Sequence, residues 1–188
     1  MERKLTSQEK VAEIYRRHGV VIFIVNDCGE ILTVQENEDK DTTGKRKGEI
    51  GVVCETSEKG KPWFDTVTRG LKEELGLNEV KQKSLLSLHD NSYLGETIFI
   101  EGVLARVVVL KARRPDILLQ HLRPEGEVDV LGFRKPADLL GDNLRQGVRN
   151  VLTECLSDKS LNQNSSNFFP VSQAKLRSLE QGLVYEAK

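Results

Sequence analysis

Hydrophobic and polar positions along the chain alternate in blocks that predict strands and helices in turn. Two apolar runs, over 20–25 and 31–34, flank a polar tetrapeptide at 26–29, which predicts two strands joined by a tight turn. The first run contains no polar residue, so we expect both faces of its sheet to be covered by other elements.

The stretch 63–75 carries the clearest helical signal. Pro62 precedes it, where a proline removes no helical hydrogen bond, and Gly76 follows the last apolar residue, as a C-terminal stop does. Between them, apolar side chains recur at helical spacing and make one stripe along the helix. The stripe consists of Phe64, Val67, Leu71 and Leu75.

Shorter β-rich segments complete the predicted sheet. Residues 50–54 suit a short strand, 83–90 and 97–112 suit a hairpin or one long bent strand, and 127–134 suit a late strand. Residues 37–49 are polar and charged, which is typical of a loop. Strands with separate covering helices favour an α/β sandwich with a mixed sheet.

Helices are also predicted towards the two ends of the chain. Residues 6–17 have a short amphipathic pattern, and Asp142 is suited to cap a last helix. A polar stretch at 157–167 precedes a short helical tail at about 171–184. The residues that share one face of the last helix are Leu144, Val148, Val151, Leu152 and Cys155.

Composition narrows the class of protein. The chain has 188 residues, which fits one domain with a small extension, and a net charge of −1, which argues against nucleic acid or an anionic membrane as partner. It has no apolar run of membrane-spanning length and no signal-peptide pattern at its start. Cys28, Cys54 and Cys155 are too few and scattered for a disulfide framework, so we expect a cytoplasmic protein.

Candidate chemistry concentrates on the polar side of the predicted helix 63–75. Glu73 and Glu74 are adjacent acids that repel each other, and a hard divalent cation such as Mg²⁺ would relieve that repulsion. Arg69 lies four residues before Glu73 and is suited to hold one of the acids by a charge-assisted hydrogen bond. The plainer alternative is a solvated helix face with one ion pair.

The fragment RGLKEELGL resembles the second half of the Nudix box, which runs Gly, five residues, Glu, seven residues, then Arg-Glu-apolar-x-Glu-Glu-x-Gly-apolar. A strand–turn–strand unit precedes the fragment, and a late strand and a helix follow it, as in that superfamily. The resemblance covers residues 18–156. The matching residues are Arg69, Leu71, Glu73, Glu74, Gly76 and Leu77.

The resemblance implies a Nudix fold over 18–156, an α-β-α sandwich with a mixed sheet. Residues 1–17 would then be an N-terminal helical extension, and 157–188 a polar linker with a helical tail. The implied function is Mg²⁺- or Mn²⁺-dependent hydrolysis of the pyrophosphate bond in a small nucleoside diphosphate-linked compound. Glu73 and Glu74 would hold the metal ion. The resemblance is also compatible with a homodimer, since dimers are common in the family.

Three departures from the box bear on that expectation. Counting back from Arg69, the first Gly of the motif falls on Glu55 and its first Glu on Lys61, while the Glu after the Arg is Gly70. Gly70 costs about 1 kcal/mol of helix propensity relative to Ala. Either packing tolerates that loss, or bare backbone there makes room for a ligand or a neighbouring chain.

Other acids are candidates to complete the site. By the resemblance, Glu127, at the late strand, would be a metal ligand or the catalytic base, the plainer alternative being a charged strand end. Glu58, in the loop that leads into the helix, would replace a missing carboxylate. The basic run 45–47 would be a solvated loop or a contact for substrate phosphates. Trp63 is expected to pack at the start of the helix.

Two other classes of function stay open at this point. The lost acids are compatible with a catalytically impaired nucleotide-binding or regulatory module, although the end of the chain is too short and neutral for a DNA-binding appendage. An isomerase of the isopentenyl diphosphate type would share the fold, but it needs a His-rich metal site. His18, His89 and His121 are isolated in the sequence, which argues against that chemistry.

Overall fold

The computed structural model describes residues 17–41, 43–58, 61–100, 103–124 and 126–157. The predicted N-terminal helix and C-terminal tail lie outside these residues, apart from Arg17, which begins the first strand. No helix within the described ranges has both the length and the apolar character needed to cross a membrane.

A mixed sheet runs through the described part of the chain. Strand β1 pairs in parallel with β6 and antiparallel with β2 and β4, while β7 adds to β2 and β5 adds to β6. The mixed sheet and the hairpin that the sequence predicts are confirmed. The strands are β1 (Arg17–Val25), β2 (Ile31–Glu36), β3 (Ile50–Gly51), β4 (Val53–Thr56), β5 (Leu86–Ile100), β6 (Val103–Ala112) and β7 (Val128–Arg134).

Helices cover both faces of this sheet, as the unbroken apolar run of β1 predicts. Alternate β1 side chains point to opposite faces, so Ile22 joins the core under the first helix and Phe23 joins the core under the last. Each such burial contributes about 1.5–3 kcal/mol. The helices are α1 (Trp63–Leu75), α2 (Glu79–Leu85), α3 (Pro115–His121), α4 (Pro136–Leu139) and α5 (Gln146–Ser157).

The helix at 63–75 has the bounds that the sequence predicts. It ends at Gly76, whose φ of 68° is left-handed and whose amide donates to the Lys72 carbonyl oxygen at 2.9 Å. A Cβ at this position would lie 2.2 Å from the Arg123 carbonyl oxygen, so a side chain has no room. The glycine therefore fixes where α1 stops and how it sits on the sheet.

Two local predictions were wrong. Residues 79–85, partly assigned to a strand, form α2, because the Asn78 side chain accepts a hydrogen bond from the Lys81 amide and caps a helix there. The last helix begins at Gln146 and Asp142 does not cap it. The Asp142 carboxylate instead lies 2.7 Å from Arg134, and Leu144 bridges to β3.

Candidate functional site

The site region lies where α1 packs against β4. Gly70 is buried on the side of α1 that faces the strand, and a Cβ there would lie 3.0 Å from the Glu55 Cβ and 3.4 Å from a Val53 methyl carbon. Both β4 side chains point towards the helix, since they are two residues apart on one strand. A larger residue at position 70 would push the helix away from the strand.

Arg69 is anchored by this strand and by the loop that follows it. Its guanidinium donates to Glu58, to the Thr56 carbonyl oxygen and to Glu55 Oε1, the last at 3.2 Å. The planar guanidinium group is well suited to several acceptors in fixed directions. The sequence predicted that Arg69 holds Glu73 or Glu74, whereas its hydrogen-bonded acids in the structure are Glu55 and Glu58.

Glu73 lies on the solvent side of α1, next to a second carboxylate. Partial burial, together with the charge of Glu55 and a hydrogen bond with it, raises the pKa of Glu73, and the charge of Arg69 opposes that shift. Glu55, Glu58 and Glu73 thus share one guanidinium between them. A further cation would stabilise these three carboxylates.

Glu74 lies in a different environment from its neighbour. Its side chain is only 4 % exposed, and Oε1 accepts a hydrogen bond from Lys45 Nζ at 2.8 Å. Burial raises the pKa of Glu74 to about 7, although the ammonium of Lys45 opposes the shift. The structure therefore places the two adjacent acids apart, one in the interior and one at the surface.

Lys45 links Glu74 to a larger buried network. Its Nζ also lies 3.3 Å from Glu36, which in turn accepts a hydrogen bond from Arg145 Nη1 at 3.0 Å. Two acids and two bases balance one another here. The sequence predicted Lys45 in a solvated loop or on substrate phosphates, and the solvated loop is wrong for this residue, which is 5 % exposed. Arg46, its neighbour, is exposed, as expected.

Glu127 lies immediately before β7, and its charge acts on Glu73. Its carboxylate is 2.5 Å from Lys40 Nζ, and this hydrogen bond lowers the pKa of Glu127. The charge of Glu127 is one of the influences that raise the pKa of Glu73, so the two acids are close enough to affect each other. A carboxylate with a lowered pKa is ionised at neutral pH, which suits a metal ligand better than a base.

The carboxylates at the surface fit a divalent cation. Within the described ranges, no group of three or more His, Cys, Asp or Glu side chains converges in the manner of a metal cage. Mg²⁺ does not require one, because it is commonly bound by one or two carboxylates together with water and substrate phosphates. Glu55 and Glu73 supply such a pair, and their mutual repulsion would be relieved by the ion.

A cavity of about 870 Å³ is lined by residues of α1, α2, β5 and β6. Its lining includes Arg69 and Glu73 of the site, and the rings of Trp63 and Phe64. Trp63 is 36 % exposed and lies 5.5 Å beneath the guanidinium carbon of Arg106, so it packs at the helix start with only part of its ring covered. The cavity therefore offers aromatic surface beside the acids.

Solved structures of other proteins share this architecture at low sequence identity. An Ap4A hydrolase from C. elegans superposes with a TM-score of 0.54 at 15 % identity, over 73 % of this chain and 93 % of that chain. A mutT/nudix family protein from Listeria innocua gives 0.52 at 12 % identity, over 78 % and 95 %. A Nudix-family hydrolase from Clostridium perfringens gives 0.50 at 14 % identity, over 73 % and 94 %.

This chain has the Nudix fold. The fold class that the resemblance implies is therefore confirmed. No protein-family model matches the sequence, and no curated protein sequence matches it. Since identities this low show the fold alone, the activity has to be argued from the residues of the site.

Contacts in the structure explain two of the departures from the Nudix box. Glu55 takes the place of the first Gly of the box, and its side chain fills the space over Gly70, where the box has a Glu. Glu58 contacts Arg69, so the described structure supplies an acid for the Arg although the box Glu is replaced by Lys61. Reciprocal changes at 55 and 70 were visible in the sequence, but only the fold brings them together.

Proposed function

We propose that the protein is a Nudix-type pyrophosphohydrolase that uses Mg²⁺ or Mn²⁺ to cleave a nucleoside diphosphate-linked compound. The observation that supports this most directly is the position of Glu73. It is a box acid that faces solvent, beside a second carboxylate and a fixed Arg69, whose guanidinium faces Glu55, Glu58 and Glu73. A divalent cation would stabilise such a surface, and the ion would also bind phosphate oxygens of the substrate.

In this proposal the residues divide into ligands and positioning groups. Glu73 would hold the metal ion from α1, and Glu127 from the position before β7, with Glu58 close enough to Arg69 to position it. The bound ion would neutralise the phosphate charge and polarise a water molecule for attack on phosphorus. Glu74 would join the ligands only by leaving the ammonium of Lys45, against which a doubly charged ion competes.

Hydrolysis of candidate substrates tests the proposal. The purified protein is incubated with Mg²⁺ or Mn²⁺ and a panel of dinucleoside polyphosphates, ADP-ribose, nucleotide sugars and nucleoside triphosphates. Glu73→Gln and Glu74→Gln are assayed in parallel. We expect metal-dependent turnover of at least one compound, lost in Glu73→Gln. Absence of turnover across the panel, from a folded protein, would contradict the enzymatic function.

A second function, a nucleotide-binding module without catalysis, is favoured by one observation. The ammonium of Lys45 already neutralises Glu74, so one of the two box acids has a cation without any metal ion. A module of this type would bind a nucleotide of the panel and stabilise the fold without cleaving it. Ligand-dependent thermal shifts, measured on the same panel, separate the two functions.

A further inference from the structure

We infer that Glu55 supplies the carboxylate that position 70 lacks, so that two departures from the Nudix box are one reciprocal exchange. The inference rests on the proposed function, because it assigns a further metal-holding residue to the same site. A Gly of the motif has become Glu at 55, and a Glu of the motif has become Gly at 70. The number of acids facing this part of α1 is thereby kept.

The geometry of α1 against β4 makes the exchange a physical one. The Cβ and Cγ of Glu55 lie 3.0 Å and 3.6 Å from where a Cβ at Gly70 would be. The stem of Glu55 therefore runs through the space from which a side chain at 70 would start. Long side chains at positions 55 and 70 together would push the helix away from the strand. Glycine at both positions would leave the site without this acid.

The polar contacts of Glu55 place its carboxylate among the residues of the site. Its Oε1 accepts hydrogen bonds from Arg69 Nη2 at 3.2 Å and from the Thr56 amide at 2.8 Å. It is also near enough to the Glu73 carboxyl group for its charge to raise the pKa of Glu73. Glu55 is thus held by a strand and an arginine, next to the one box acid that faces solvent.

Glu55 is better placed for this role than Glu58, which the sequence suggested. The side chain of Glu58, which contacts Nη1 of Arg69, is 58 % exposed, whereas that of Glu55, which contacts Nη2, is 18 % exposed. A carboxylate fixed before the ion arrives loses less side-chain entropy on binding it. The lower helix propensity of Gly70 is then the consequence of making room for Glu55.

Direct binding of Mn²⁺ tests the assignment without relying on catalysis. The affinity of the full chain for Mn²⁺ is measured by electron paramagnetic resonance of the unbound ion, with unfolding followed in EDTA. We expect Glu55→Gln, which keeps the shape and removes the charge, to weaken Mn²⁺ binding about tenfold or more. Glu30→Gln, the same change in an acid of the β1–β2 turn, is the matched control and should bind as the wild type does.

The reciprocal variant provides the sharper test. Glu55→Gly should lose Mn²⁺ affinity, Gly70→Glu should be less stable because its side chain overlaps that of Glu55, and the double variant should recover both properties. Wild-type affinity in Glu55→Gln, or no Mn²⁺ binding by the wild-type protein, would overturn the inference. Mn²⁺ binding that follows this pattern without turnover of any substrate would leave the inference standing and contradict the proposed hydrolase.

Discussion

Replacing Lys45 with Met removes the cation that faces Glu74 in the protein interior. The side chains of Lys45 and Glu74 are 6 % and 4 % exposed, so solvent cannot replace the lost partner. Glu36 keeps Arg145, which leaves Glu74 as the unbalanced charge. Removal of one member of a buried pair typically costs about 3–5 kcal/mol.

Proton uptake by Glu74 limits that cost. Burial already raises the pKa of Glu74 to about 7 from 4.5, and loss of the ammonium removes an opposing influence, so the variant would take up a proton at neutral pH. Holding a carboxyl group of pKa about 7 or above costs about 3 kcal/mol at pH 7 relative to the unfolded chain, and the wild-type protein already carries most of that cost at Glu74, so the deficit of the variant is smaller than the figure for removing a pair member. At pH 5 Glu74 is protonated in both proteins, and the deficit shrinks further. Because the folded pKa is raised, the folded state binds more protons above pH 4.5, and its stability falls as pH rises through that window.

Urea unfolding at pH 7 and pH 5 measures the effect. We expect Lys45→Met to lose about 1 kcal/mol of unfolding free energy at pH 7 and clearly less at pH 5. Lys47→Met, in the exposed part of the same loop, is the matched control and should change stability by less than about 0.5 kcal/mol at both pH values. A Lys45→Met deficit that is absent at pH 7, or that does not shrink at pH 5, would refute the buried pairing.

Three further predictions follow from other parts of the structure. Burial raises the pKa of the Cys54 thiol to about 12, so in a Cys155→Ser background we expect a maleimide at pH 7 to label the exposed Cys28 and not Cys54; equal labelling, read by peptide mass spectrometry, would contradict this. Gly76→Ala should lower the unfolding free energy by more than about 1 kcal/mol, because φ is 68° and the added methyl group meets a carbonyl oxygen; an unchanged urea midpoint would argue against that helix end. Arg69→Lys should reduce both turnover and Mn²⁺ affinity, because one ammonium group cannot bind two carboxylates and a carbonyl oxygen in the directions that the guanidinium does. Wild-type values in both assays would show that these directed hydrogen bonds are not needed.

Local sequence was sufficient for the parts of the fold that depend on neighbouring residues. The bounds of α1 follow from Pro62, the apolar stripe and Gly76, all within one stretch of chain. The turn between β1 and β2 is similar, since the Asn26 side chain accepts hydrogen bonds from the Cys28 and Glu30 amides. Helix α2 was missed because its start depends on one capping side chain, Asn78. The β-branched Val80, two residues later, is more typical of a strand.

The buried network could not be read from the sequence. Lys45 and Glu74 are 29 residues apart, and Arg145 and Glu36 are 109 apart, so no spacing rule connects them. In the sequence Lys45 is one of three consecutive basic residues, a pattern typical of a solvated loop. Only the pairing of β2 with its neighbours, and the path of the loop after it, brings these charges into one interior site.

The distribution of charge indicates where a divalent cation would bind first. At Glu74 the interior is already balanced, because Lys45 and Arg145 match Glu74 and Glu36, and an added ion would have to displace an ammonium held at 2.8 Å. At the surface, among the residues that the structure describes, Arg69 forms ion pairs with Glu55 and Glu58, and its charge also acts on Glu73. A doubly charged ion gains more where acids outnumber bases. With the acid at position 55 and glycine at position 70, we therefore expect the metal ion beside Glu73 at the surface of α1 and not beside the buried Glu74.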